Sequence, residues 1–113
     1  IVEFNPQDMA NTAWAFATAG VAARTLFEAI ASEAQRRIGE FNPQELANTV
    51  WAFATAGVAA RTLFEAIASE ARRRIVEFNP QALANTAWAF ATAGVAAETL
   101  FGAIASEARR RIV

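Results

Sequence analysis

The chain has 113 residues, 55% hydrophobic and 11% aromatic, which is the length of one domain with ample material for a core. Arginines and acids nearly balance at a formal charge of −1, and lysine, histidine, tyrosine and cysteine are all absent. This excludes a strong overall electrostatic footprint for nucleic acid or anionic membrane, and it excludes disulfides and cysteine-based metal sites.

Along the chain one 37-residue unit is written three times, over residues 4–40, 41–77 and 78–113, the last copy one residue short. Self-similarity at this period marks an array of supersecondary units, each too small to bury its own apolar face. Residues 1–113 therefore read as a single repeat domain.

Each copy opens with a helix start. In the first, Asn5 is an N-cap and Pro6 takes the first helical position, where a missing N–H costs nothing. Asp8 faces the positive end of the helix, and Phe4 and Met9 have the spacing of a hydrophobic staple. Gly20 supplies the left-handed residue of a Schellman ending, so the first helix of the unit, helix A, is expected over residues 6 to 19. Helix B is expected from between Ala22 and Thr25 through Ile38, with Thr25 to Glu28 readable as a capping box. The predicted fold is all-α: a right-handed solenoid of three helix-turn-helix repeats.

At 100° per residue, helix A carries Met9, Ala10, Ala13, Trp14, Phe16 and Ala17 on an apolar arc, opposite Gln7, Asp8, Asn11, Thr12 and Ala15. In helix B, Leu26, Phe27, Ile30, Ala31, Ala34 and Ile38 form the apolar arc. The copies differ at positions 24/61/98, 28/65/102 and 35/72/109 on the opposite arc, the pattern of drift after duplication. Gly102, inside a helix at a cost of about 1 kcal/mol relative to alanine, is not a consensus choice.

The run from Phe41 to Gly57, with Leu46-Ala47-Asn48-Thr49 and Trp51-Ala52-Phe53-Ala54, followed by Leu63 to Ile67, resembles the octotricopeptide and heptatricopeptide repeats. The resemblance covers the whole chain and implies an α-hairpin array from a chloroplast or mitochondrial protein that binds single-stranded RNA. It also implies that first helices line the inner surface and that their polar positions meet bases: Gln7, Asp8 and Asn11, then Gln44, Glu45 and Asn48, then Gln81, Ala82 and Asn85.

Each candidate also has a structural use. The asparagines can bond base edges or the backbone of a neighbouring repeat. Asp8 and Glu45 sit where any acid stabilises a helix start. Trp14, Trp51 and Trp88 can stack on bases or anchor repeat to repeat at the edge of the apolar arc. Arg36, Arg73 and Arg110, within the clusters 36–37, 72–74 and 109–111, can hold phosphates or pair with Glu33, Glu70 and Glu107 one turn earlier.

Catalysis has little to work with, because only carboxylates beside arginines remain as acid–base groups. An enzyme is not expected, nor a cofactor or metal. The longest weakly polar run, 13 to 23, falls short of the ~20 residues a membrane span needs, so no membrane partner is expected. A rival to RNA binding is a self-associating scaffold. The first helix A and last helix B are expected to expose Met9, Phe16, Leu100 and Phe101, and the chain starts and stops at the same point of the repeat. Its ends can therefore take flanking repeats or other copies of itself.

Overall fold

The structure, a computed structural model, describes residues 4–112. Those residues contain six α-helices and no strand: α1 (Pro6–Ala19), α2 (Arg24–Arg36), α3 (Pro43–Ala56), α4 (Arg61–Arg73), α5 (Pro80–Ala93) and α6 (Glu98–Ile112). The odd-numbered helices are the A helices of the three repeats and the even-numbered ones the B helices. Three hairpins in a row make an α-solenoid, stretched to 46 Å along its longest axis.

The A helices begin and end where local chemistry dictates. Asn5, Asn42 and Asn79 each accept, at 2.7 Å, the backbone N–H three residues on. In the first two repeats the acid at that third position completes a capping box, Asp8 accepting from the Asn5 N–H at 3.1 Å and Glu45 from the Asn42 N–H at 2.9 Å. Ala82 cannot do so. Gly20, Gly57 and Gly94 end these helices at φ of 74°, 73° and 69°, and the next residue's N–H reaches back to the Phe16, Phe53 or Phe90 carbonyl. That is the Schellman pattern.

The B helices start within the expected range but without the expected cap, and the first two end early. They start at Arg24 and Arg61 behind Ala23 and Ala60, with no side-chain cap bond, so Thr25 lies within the first turn and its capping box does not form. They stop at Arg36 and Arg73, short of the expected Ile38, and pass into the 3₁₀ turns Ile38–Glu40 and Ile75–Glu77. The turn is needed to deliver Phe41 and Phe78 into the core, where both are buried. Only α6, in the last repeat, runs on to Ile112.

A clamp closes each hairpin. Arg37, Arg74 and Arg111 reach back across 33 residues to donate to the carbonyls of Phe4, Phe41 and Phe78, at 2.8, 2.6 and 2.5 Å. The last turn of each B helix is thereby tied to the chain just before its own A helix.

The core runs unbroken from repeat to repeat. Phe27 meets Phe53 edge to face at 4.9 Å, and Phe64 meets Phe90 in the same way at 5.2 Å. The A helices pack closely along one another while the B helices touch more sparsely, so the A side is the tighter, inner side. Small residues make this possible: Ala47, Ala52 and Ala89 are fully covered, and Thr49 and Thr86 bury their hydroxyls by donating to the carbonyl one turn back. The wet arc expected of helix A is thus only partly wet. Thr12 and Ala15 are at least partly open in the first repeat, but their counterparts lie under the preceding A helix.

Two expectations about the ends are corrected. Met9 and Leu100 are buried rather than exposed, because each points inward at its own hairpin partner and not along the array. Phe101 is exposed as expected, Phe16 is half-buried, and Phe4 and Val21 are the more open apolar groups of the first repeat.

Candidate nucleic-acid interface

Positions i, i+4, i+7 and i+11 of a helix share one face. In α1 these are Gln7, Asn11, Trp14 and Thr18, all exposed; in α3 they are Gln44, Asn48, Trp51 and Thr55; in α5, Gln81, Asn85, Trp88 and Thr92. The other three sides of α3 are occupied by its own B helix and by the A helices before and after it, while α1 and α5 each have an A helix on one side only. The stripe lies on the side that no helix covers in any repeat, and it repeats in register across the array.

The amides of the stripe are largely uncommitted. Gln44 Nε2 donates to Asn48 Oδ1 at 3.0 Å, and among the described residues no other stripe amide side chain is hydrogen-bonded to protein. The alternative use of the asparagines, bonding a neighbouring repeat's backbone, is therefore not seen among the described residues. Asp8 and Glu45 lie beside the stripe with their carboxylates engaged in the capping boxes. Ala82, their counterpart, is buried.

The tryptophans stand in the stripe itself and not on the buried arc. Trp14 stacks on Trp51 with ring centroids 5.8 Å apart, and Trp51 on Trp88 at 6.1 Å, with the planes inclined by 27° and 29°. They do join repeat to repeat, as a packing anchor would. Trp14 and Trp88 nonetheless remain 46% and 47% exposed. Sequence reasoning missed their place in the stripe; the signal was their spacing, three residues beyond each asparagine and seven beyond each glutamine.

The arginines form a separate set at the far ends of the B helices. Arg36 and Arg73 donate to Glu33 and Glu70 at 2.5 Å, and Arg110 to Glu107. These bonds hold all three carboxyls below the usual carboxylate range despite opposing desolvation, Glu107 at about 2, where the second donor, Arg111, comes to 2.7 Å against 3.3 Å for Arg37 and Arg74 at the other two. Arg36, Arg73 and Arg110 keep 69%, 68% and 66% of their side chains open to solvent. The residues after them are the clamp arginines, so each cluster divides into one structural guanidinium and one outward one in the first repeat, or two outward ones in the second and third, where Arg72 and Arg109 are also exposed. Among the described residues no hydrogen bond joins this set to the amide stripe, and no A helix carries an arginine.

Among the described residues no cluster of acids could hold a metal ion, and no helix is long and apolar enough to cross a membrane. No curated protein matches the chain. The family model described as RNA-editing substrate-binding complex 6 protein matches residues 1–112. With that match running over nearly its whole length, the chain belongs to the RNA-editing substrate-binding complex 6 protein family.

Proposed function

We propose that residues 1–113 are one non-catalytic repeat domain of an organellar, single-stranded-RNA-binding solenoid of the octotricopeptide and heptatricopeptide kind, working within an RNA-editing assembly. The family's name supplies the assembly. The observation that carries the reading is the row of Gln and Asn amides, repeated on three A helices, with Gln7, Asn11 and Gln81 exposed, Gln44, Asn48 and Asn85 half-buried, and most of them without protein partners. An amide both donates and accepts, so it matches the Watson–Crick edge of an unpaired base.

Gln7, Asn11, Gln44, Asn48, Gln81 and Asn85 are the proposed base-facing residues, with Asp8 and Glu45 at the margin of the site. Arg36, Arg73 and Arg110 offer their open sides to phosphate at a second surface, apart from the amide stripe. At ~1–3 kcal/mol per contacted nucleotide, three repeats supply at most ~9 kcal/mol before the strand is ordered, so this segment binds weakly by itself and tightly only in a longer array. Filter binding of homopolymer RNAs over a salt series tests the reading. Saturable retention, weakened by Asn→Ala at positions 11, 48 and 85, is expected; no retention at low salt, even by a tandem fusion, overturns it.

A second reading, an interaction scaffold that joins end to end, is favoured by the two end faces. Phe101 is 36% exposed where its counterparts Phe27 and Phe64 are at 0%, and Phe4 is 51% exposed where Phe41 and Phe78 are at 1%. Beside Phe4 lies a hollow of about 250 Å³ walled by Met9, Leu26, Ala29 and Ile30. Inside the array these same surfaces meet a neighbouring repeat, so they fit another repeat of the same design in a second copy. Light scattering that grows with concentration, and is abolished by Phe101→Glu, supports this reading; a strictly monomeric chain overturns it.

A further inference from the structure

The stacked tryptophans ask for an explanation that packing alone does not supply. The aromatic residues that only pack, Phe27, Phe53, Phe64 and Phe90, are at 0% exposure. The tryptophans stand on the stripe of each A helix, where Trp14 and Trp88 are exposed and Trp51, which also packs against the core, is half-buried. An apolar row kept in solvent, in register on every repeat, is the mark of a binding surface.

Its surroundings define the ligand. The stripe holds no charged residue; its polar groups are the amides and the threonine hydroxyls. A partner bound there must be flat and apolar on one side and rich in donors and acceptors along its edge. Unpaired nucleobases have this form, and every base offers a face to an indole.

The ring spacing limits how bases can sit. Centroids 5.8 and 6.1 Å apart leave too little room for a base between rings, which takes about twice the ~3.5 Å contact distance of two stacked carbons. Successive bases in a stacked strand rise only about 3.4 Å, so a strand following this row must be extended, its bases parted from one another and each laid against one ring.

We propose that Trp14, Trp51 and Trp88 form a base-stacking track for an extended single strand, one nucleobase per repeat, its sugar–phosphate turned away from the array. The Gln and Asn amides of the same helices meet the base edges. This deepens the RNA-binding reading and rests on it. Because no cation lines the track, binding there releases few counterions, and the logarithm of affinity falls with the logarithm of salt far less steeply than the ~0.7 per phosphate of a backbone contact.

The absence of tyrosine makes tryptophan fluorescence a clean reporter. The intact chain is titrated with oligouridylate, oligoadenylate and an abasic oligoribonucleotide of the same length. Base-bearing strands are expected to quench the emission with a shallow salt slope, and the abasic strand to leave it unchanged. With all three tryptophans changed to Phe, which removes the fluorescence signal, affinity read by filter binding should fall part of the way; with all three changed to Leu it should fall further, by roughly 5- to 150-fold per ring lost. Circular dichroism melts of both variants separate this from unfolding, and the Phe variant, which keeps an aromatic row, preserves the test if the Leu variant does not fold. If the Phe and Leu variants bind RNA alike while Asn→Ala at 11, 48 and 85 weakens it, the track is wrong and the RNA-binding reading stands; if the abasic strand binds as well as the others, the track and the base-facing amides are both wrong. If no base-bearing strand binds at all, both fall.

Discussion

The Arg74 guanidinium donates to the Phe41 carbonyl at 2.6 Å while also reaching Glu70 at 3.3 Å and Glu77 at 3.4 Å. Its side chain is only 15% exposed, against 68% for Arg73 beside it. One turn of sequence thus holds a hairpin clamp and a solvated ion pair side by side. Arg74→Ala leaves the Phe41 carbonyl without its side-chain donor and Glu70 with Arg73 as its one remaining partner, and is expected to cost about 1–3 kcal/mol in urea unfolding. Arg73→Ala should move the midpoint little, since exposed pairs contribute little. Arg74→Lys should restore only part of the loss, because an ammonium cannot span three acceptors as a planar fork does.

The same phenylalanine occurs at 27, 64 and 101 with different cover. Phe64, fully buried and in edge contact with Phe90, is expected to lose about 3–5 kcal/mol on change to alanine. Phe101→Ala should cost less than about 1 kcal/mol, in the range of surface changes. Equal losses at the two positions would mean that something covers Phe101 in solution.

Gly102 and Gly57 call for opposite outcomes from one substitution. Gly102 lies inside α6 with open space where a Cβ would stand, so Gly102→Ala should stabilise by about 1 kcal/mol. Gly57 holds φ at +73° at the end of α3, where Gly57→Ala should destabilise by about 1–2 kcal/mol. Thermal melts of the two variants, shifted in opposite directions from the parent, check both.

Glu33, Glu70 and Glu107 have carboxyls held below their ordinary value by arginine hydrogen bonds, Glu107 at about 2. A group whose folded value lies below its unfolded one adds stability that is complete above the unfolded value, about 4.3 for glutamate, and is lost as pH falls through the folded one. The melting temperature should therefore be level from about pH 5 to about pH 9, with no histidine or cysteine to titrate, and should fall from about pH 4.5 towards pH 2. Glu107→Gln should flatten part of that fall. A midpoint that drifts through neutrality would contradict the assignment.

Much of the fold was legible because its signals are local. Asn5-Pro6 and Gly20 bound α1 at the very residues the caps imply, since a cap needs only the few residues on either side of it. The end of helix B was not legible: Ile38 is apolar and in phase, and what stops the helix is the next repeat's need to bury Phe41, a constraint from beyond the window. The tryptophan row was hidden for a related reason. A two-sided division into apolar and polar arcs suits a helix with one buried face, whereas α3 has neighbours on three sides, which covers Ala52 and Thr49 and leaves the stripe of Trp51 only partly covered. The end faces were half legible, Phe101 by its position and Met9 wrongly, because hydrophobicity does not say whether a side chain points at its own hairpin or at the next.

The clamp from Arg74 to Phe41 closes within one period of the sequence, as do the asparagine caps, while the described contacts between periods are mainly between rings and methyl groups. Whole units can therefore be gained or lost by unequal recombination with few side-chain hydrogen bonds broken, those from Arg111 to the Ile75 and Val76 carbonyls among them. Copy number, rather than point substitution, becomes the quantity that inheritance can adjust most freely, and with it the reach of the array.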